Sequence, residues 1–331
     1  ENISAGAGLA SGEGSDNRTT INSDVNVNVC SKDVNPSDKL QITTSKLFDV
    51  DADNSSVIDW LEKDANGDVV SDAYNSLSAG AALVTGTGIV NRTNVTHNTN
   101  VNLDDTVVKG NAELTQADRD AGKILADINA VTIDAHSNIV SKDYQYIGTG
   151  AAIEVAHISD KNKATANTKV NLGSNAELYA GDTVSANSKV VEDNITTTTH
   201  GYVDVGGGSI SIGARNDADM FSSTVVSAWG VTGYTGSDNV VEYNGDVGIN
   251  VDSDIETANG DVRIAAGYDS AGNNGETYLK AHSLLANSTG FPISIHPEPE
   301  ANVDIGAKVT VGSASNIKSD GDIYLLANKG Y

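Results

Sequence analysis

The chain has 331 residues, of which 38% are hydrophobic and only 5% aromatic, and its formal net charge is −25. So little bulky material argues against one compact globular core, and the charge argues against nucleic acid and anionic membrane as partners, since both need a cationic face. The charge suits a chain kept soluble outside the cell, one that binds divalent cations, or one of halophilic origin.

The apolar residues are mostly Val, Ile, Ala and Leu, separated by Gly, Asn, Asp, Ser and Thr. Short β-branched runs between turn formers predict many short strands. Four prolines are too few for a Pro-rich linker. The single cysteine, Cys30, excludes an internal disulfide. In VNVNVC it reads as a buried small hydrophobe, or else as a link between subunits. No signal peptide opens the chain and no apolar run nears the ~20 residues of a membrane span. The first residues already belong to a repeat, so a processed chain or an excised segment is expected.

In chain order, the first phrase is ISAGAGLASG from Ile3. It returns as LSAGAALVTG from Leu77 and as IGTGAAIEVA from Ile147. A second phrase follows each copy: NRTTINSDVNVNV from Asn17, NRTNVTHNTNVNL from Asn91 and DKNKATANTKVNL from Asp160. Two phrases in fixed order, three times over, define a repeat protein. Repeats are expected at about 1–74, 75–145, 146–200 and 201–331.

Within repeat one, Ile3, Ala5, Ala7 and Leu9 alternate with small residues, and Ile21, Val25, Val27 and Val29 alternate again. Period two predicts strands with one buried face. The stretch 31–73 lacks the pattern and is expected as an insertion. A second insertion is expected at about 104–129. Inside it, LTQADRDAGKILADI predicts a short helix with Thr115 as N-cap and Leu114, Ile124, Leu125 and Ile128 on one face. Val131, Ile133 and Ile139 predict another strand. Strands are also expected at 170–172, 177–179 and 183–184. NAEL at Asn175 echoes NAEL at Asn111. From Gly201 on, Gly-Asp opens alternating strands: GDVGINV at Gly245, GDVRIAA at Gly260 and GDIYLLA at Gly321. IETANGDVRIAAG from Ile255 and IKSDGDIYLLANKG from Ile317 match in pattern, with one extra residue in the first turn.

This grammar predicts an all-β fold: a β-solenoid of stacked coils with an apolar ladder inside and Asn, Thr, Asp and Ser outside. Coils of roughly 20–25 residues would give about 12–15 turns and a rod on the order of 60–70 Å. Immunoglobulin-like sandwiches would want a buried Trp or a tyrosine corner in each unit. Trp60 and Trp229 are the only tryptophans and do not occupy matching places.

The phrase order SAGAALVTGTG, NRTNVTHNTNVNL, NAEL and GDVRIAAG resembles the filamentous haemagglutinin-type exoproteins, and more narrowly the large leukotoxin-like filamentous adhesins. The resemblance covers most of the chain apart from about 31–73. It implies a right-handed parallel β-helix with loop and short-helix insertions, secretion, exposure at the cell surface, and an adhesive or filament-forming role. The family's N-terminal secretion domain has no counterpart here. The expected partners are the chain itself, end to end or laterally, or cell-surface glycans or proteins, with no membrane insertion.

The sharpest candidate site is DADNSSVIDWLE. Its spacing fits a helix–loop–helix calcium loop. Asp51, Asp53 and Ser55 would be the first ligands, the Val57 carbonyl the next, then Asp59 and a bidentate Glu62, with Ser56 where glycine belongs. The competing reading is a solvated acidic loop. Sequons at Asn17, Asn54, Asn91, Asn94, Asn194 and Asn287 would be surface acceptors in a glycosylating host. No HExxH pairing, GxSxG elbow or informative carboxylate pair points to an enzyme, and none is expected. The six histidines are expected at the surface or in turns. The adhesive rod competes with a subunit that polymerises end to end, because terminal coils expose strand edges. A carbohydrate-active β-helix is the third alternative.

Overall fold

Alternating residues form strands here, and the strands join edge to edge in parallel. A computed structural model describes residues 2–30, 39–44, 46–59, 76–181, 189–192, 195–198 and 207–329. In chain order the strands are β1 Asn2–Val29, β2 Leu40–Thr43, β3 Phe48–Asp59, β4 Ser76–Leu103 and β5 Thr106–Gly110. After helix α1, Gln116–Asp120, come β6 Asn129–Leu172, β7 Glu177–Ala180, β8 Lys189–Glu192, β9 Ile195–Thr198 and β10 Ser209–Val251. The last are β11 Asp254–Thr257, β12 Val262–Ala266, β13 Thr277–Val311, β14 Asn316–Ser319 and β15 Ile323–Ala327.

The large sheet runs β1-β4-β6-β10-β12-β15, with β3 joining β6 and β13 joining β10. A five-stranded parallel sheet, β14-β11-β7-β5-β2, lies beside it, and β8 and β9 pair antiparallel. The long runs are too long to be straight. Ser141 Oγ donates to Asn162 Oδ1 at 2.8 Å within β6, and the Thr224 and Ser237 hydroxyls meet at 2.5 Å within β10. Each run therefore folds back once, near 150–153 in β6 and 230–232 in β10, and its two legs face each other. Backbone hydrogen bonds pass to the next layer, while side chains fill the space between legs.

Stacked partners are 74, 69, 79 and 59 residues apart in successive layers. This corrects the expected 20–25. Each leg spends about 20 residues, or ~65 Å, so the described residues form five long layers and a stack only ~20–25 Å deep. The stretch 31–73, expected as an insertion, carries β2 and β3, both paired into sheets.

The repeated phrases stack. Ile3 pairs with Leu77 and Asn17 with Asn91, and Asn91 pairs with Asp160. In the third copy, however, Tyr146 and not Ile147 lies against Leu77. Ile147 is fully buried and stacks on the inward Ser78; a shift of one would turn it outward. The two NAEL copies do not stack, because Val107 and Val108 occupy the places beside Glu177 and Leu178. The matched pair at Ile255 and Ile317 does stack, as do Val262 and Ile323. GDVGINV lies elsewhere, between Ala166–Leu172 and Ile305–Val311.

The interior is banded. One apolar band includes Val101, Ile133, Leu172, Ile212 and Ile264; a second includes Ile139, Met220 and Tyr243; a third includes Ile89, Ile158 and Val226. Each buried Ile or Leu contributes about 1.5–3 kcal/mol. Between the bands lie buried polar rows. One holds His97, Ser137 and Asn216, and the next holds Asn91, Asp143, Asp160, Asn162 and Ser222.

Thr115 caps α1 as expected, its hydroxyl accepting from the Asp118 N–H at 3.2 Å. The helix stops at Gly122, where φ is 73°. The expected shared face of Leu114, Ile124, Leu125 and Ile128 does not form, because Leu125–Asp127 is a separate 3₁₀ turn.

Candidate functional site

Outward residues of three stacked strands build a polar concavity. Asp53, His136 and Arg215 are register partners in β3, β6 and β10, and one row further on lie Ser55, Asn138 and Asp217. The loop 267–276, between β12 and β13, folds over them. It turns on Gly267 and Gly272, at φ 88° and 94°. Asp269 braces it, accepting from the Asn273 N–H at 2.8 Å and from Asn273 Nδ2 at 2.7 Å. Arg263 lies 5.3 Å over the Tyr268 ring.

Arg215 fastens the loop to the sheet. Its Nη1 donates to Asp269 Oδ2 at 3.0 Å, and its Nη2 lies 3.3 Å from Asp217 Oδ2. His136 Nε2 is 2.8 Å from the same Asp217 oxygen, and its Nδ1 is 3.2 Å from Asp53 Oδ1. The Glu276 N–H donates to Asp217 Oδ1 at 2.7 Å. Burial works to raise the Asp217 carboxyl, but the His136 and Glu276 hydrogen bonds and the Arg215 charge outweigh it and hold it below the usual range. Asp134 goes the other way, to about 6: burial raises it, two hydrogen bonds from Ser270 oppose, and Asp51 and Asp269 add repulsion.

The resulting cleft is about 830 Å³. Lys142, Arg215, Asp217, Asp219, Asn274 and Tyr278 line it, among others. Lys142 pairs with Asp219 at 2.7 Å. Each cation is thus already paired with a carboxylate, while amide groups, the Glu276 carboxylate and the half-exposed Tyr278 complete the lining. That is chemistry for holding a polar ligand by hydrogen bonds and one ring face. Among the described residues no group of three His, Cys, Asp or Glu side chains is placed to hold a metal ion.

The expected calcium loop takes a different form. Asp51, Asp53, Ser55 and Val57 point outward at alternate positions of β3, and Asp59 ends it. Alternate strand residues are ~6.6 Å apart, whereas ligands must converge at ~2.4 Å from one ion. The extended strand therefore cannot gather them as a helix–loop–helix site would. Glu62 lies outside the described residues. Asp53 instead meets His136, and Asp49 accepts from Thr132.

Two sequons are corrected as surface acceptors. Asn54 and Asn91 are buried, donating to the Ser23 carbonyl at 3.0 Å and to Asp160 at 2.7 Å. Asn17 is half-buried and donates to Asn91, Asn94 is exposed, and Asn287 donates to Thr235 at 3.3 Å. Asn194 lies outside the described residues. Cys30 is exposed rather than buried. His97, expected at the surface, is fully buried with its ring nitrogens 2.7 and 2.9 Å from the Ser56 and Ser137 hydroxyls.

Sequence reasoning missed Arg215, His136 and Asp217. Their outward parity is readable by counting from inward Ile133 and Ile212, but nothing local shows that they share a place. Comparison of the chain with family models, with curated proteins and with solved structures gave no match.

Proposed function

We propose that this chain is a stretch of a secreted, cell-surface right-handed parallel β-solenoid that serves as an adhesin rod or filament building block. The observation that carries this reading is like stacked on like. Asn102 donates to Asn28, Asn171 to Asn102 and Asn250 to Asn171, at 2.7–2.9 Å, so one outward asparagine ladder crosses four layers. Such a face needs no ligand and repeats from layer to layer up to Asn250, beside which Thr310 takes the next place, as suits a structural rod. The cleft beneath loop 267–276 is the recognition point of this reading, taking a glycan or a polar protein segment at the cell surface. The paired charges in the cleft favour recognition over catalysis.

A second reading, a subunit that stacks end to end, draws support from β1 and β13. Each has a ladder partner on one side only among the described residues. Electron microscopy of native material, with an antibody to loop 267–276, tests both. Labelled surface rods of longer chains support the first, and fibres grown from the purified chain support the second. Labelling confined to the cell interior defeats both.

A further inference from the structure

The five bends where the long runs fold back form an apolar ridge free of charge. Gly8 pairs with Ala82 and Ala10 with Val84, so Leu9 and Leu83 sit at the same place in consecutive layers. The same reasoning puts Ala152 and Val231 beneath them. Leu9, Leu83, Trp229 and Phe291 are 83%, 57%, 64% and 75% exposed, and Ile153 and Val231 are exposed too. No Asp, Glu, Lys or Arg occurs in 3–12, 77–90, 146–153, 225–237 or 283–296, in a chain with 45 acidic residues. Glu154, next to the bend, is turned inside and fully buried. The ridge continues into an apolar groove of about 640 Å³, walled by Tyr146 and Trp229.

An exposed apolar patch of this length marks an interaction surface. We propose that this ridge seats the molecule in a lipid surface of zwitterionic head groups, dipping into the interface without crossing it. Three observations select that occupant. A fold-back bend is convex, and convex ridges meet each other poorly. Two copies joined bend to bend would bury only about 500 Å² each, five layers of ~4.8 Å by ~20 Å, against the ~800 Å² typical of a stable pair. The exposed set mixes Leu, Val and Ile with Trp and Phe, the composition that settles at the bilayer interface. The body's charge of −25 sets the lipid class, since it is repelled by anionic head groups while the uncharged ridge is indifferent to neutral ones.

The test is flotation of the purified chain with phosphatidylcholine vesicles, together with Trp229 emission in a Trp60→Phe background. Binding with a blue shift is expected. Leu83→Asp with Val231→Asp should lower the bound fraction at least tenfold with the melting curve unchanged, and phosphatidylserine should weaken binding. Phe291→Asp, in the outermost layer, replaces the double variant if that one fails to fold. The proposal is overturned if phosphatidylcholine does not float the protein, if the Asp variants float equally well, or if sedimentation without lipid shows a dimer that those variants abolish.

Discussion

Asp143 and Asp160 face each other inside the folded-back β6, one row beyond the Ser141–Asn162 hydrogen bond, and neither is reached by solvent. Burial raises both carboxyls, Asp160 to about 6, and the repulsion of Asp160 drives Asp143 up further. Asn91 and Ser222 donate to Asp160, while Asn91 and Thr93 reach Asp143.

The pH dependence follows from that pair. The folded chain holds protons that the unfolded chain, with carboxyls near 3.9, has released. This stabilisation is full below about pH 4 and is lost as pH rises through the folded value, about 6 for Asp160. Asp134 acts in the same direction. The melting temperature should therefore climb from pH 8 to pH 5, and Asp143→Asn should flatten that climb and raise the value at pH 8. Calorimetry across this range checks it; a fall toward pH 5 in both proteins would contradict the paired-acid account.

His97 has the opposite sign. Burial holds its pKa below the usual value, so its contribution is complete above about 6.5 and declines as pH falls below that. His97→Ala leaves the Ser56 and Ser137 hydroxyls without the ring and should cost about 1–3 kcal/mol in urea unfolding at pH 8.

Asn102→Ala removes two links of the outward ladder, those to Asn28 and Asn171. The expected loss is about 1–2 kcal/mol, and Asn250→Ala, with one link to Asn171, should cost about half as much. Equal losses measured by denaturant titration would mean the ladder contributes nothing beyond each side chain.

Arg215→Met removes the Asp269 tie of the loop 267–276 and leaves it held by Ser270–Asp134 and Glu276–Asp217. Hydrogen–deuterium exchange in that loop should quicken at least tenfold, with global stability lower by about 1–2 kcal/mol. Unchanged loop protection would show that the Ser270–Asp134, Glu276–Asp217 and Asp269–Asn273 contacts hold the loop without Arg215.

Gly230 and Gly86 make a matched pair. A Cβ at Gly230 would stand 1.8 Å from the Ala151 carbonyl oxygen, whereas one at Gly86 meets nothing within 4 Å. Gly230→Ala should cost about 2–4 kcal/mol and Gly86→Ala almost nothing in thermal melts, because backbone in the next layer cannot yield.

Strand character was legible because Val25, Val27 and Val29 alternate with asparagines, and stacking was legible because whole phrases recur. The polar rows of the interior were not. Reading Asn, Thr, Asp and His as solvent-facing overlooked the count of two back from Val95, which turns Thr93 and Asn91 inward, and the count of two forward, which does the same for His97. The size of a layer was hidden because β1, β4, β6 and β10 bend without any turn-forming signal stronger than Gly-Ala or Trp-Gly-Val, and only β13 marks its bend, with Gly290 and Pro292. The cleft was hidden because His136 and Arg215 stand 79 residues apart and Asp53 precedes an interruption in its own layer. Only register brings such residues together.

The wide spacing between stacked partners governs how such a chain acquires its structure. No main-chain ladder of the long runs can close until some 60 to 80 residues have become available, so the search is dominated by distant pairings and is intrinsically slow. Once one layer stands, it is a template for the next, and growth spreads from wherever the first layer forms. A chain delivered gradually through a pore, segment after segment, meets that requirement better than one released all at once.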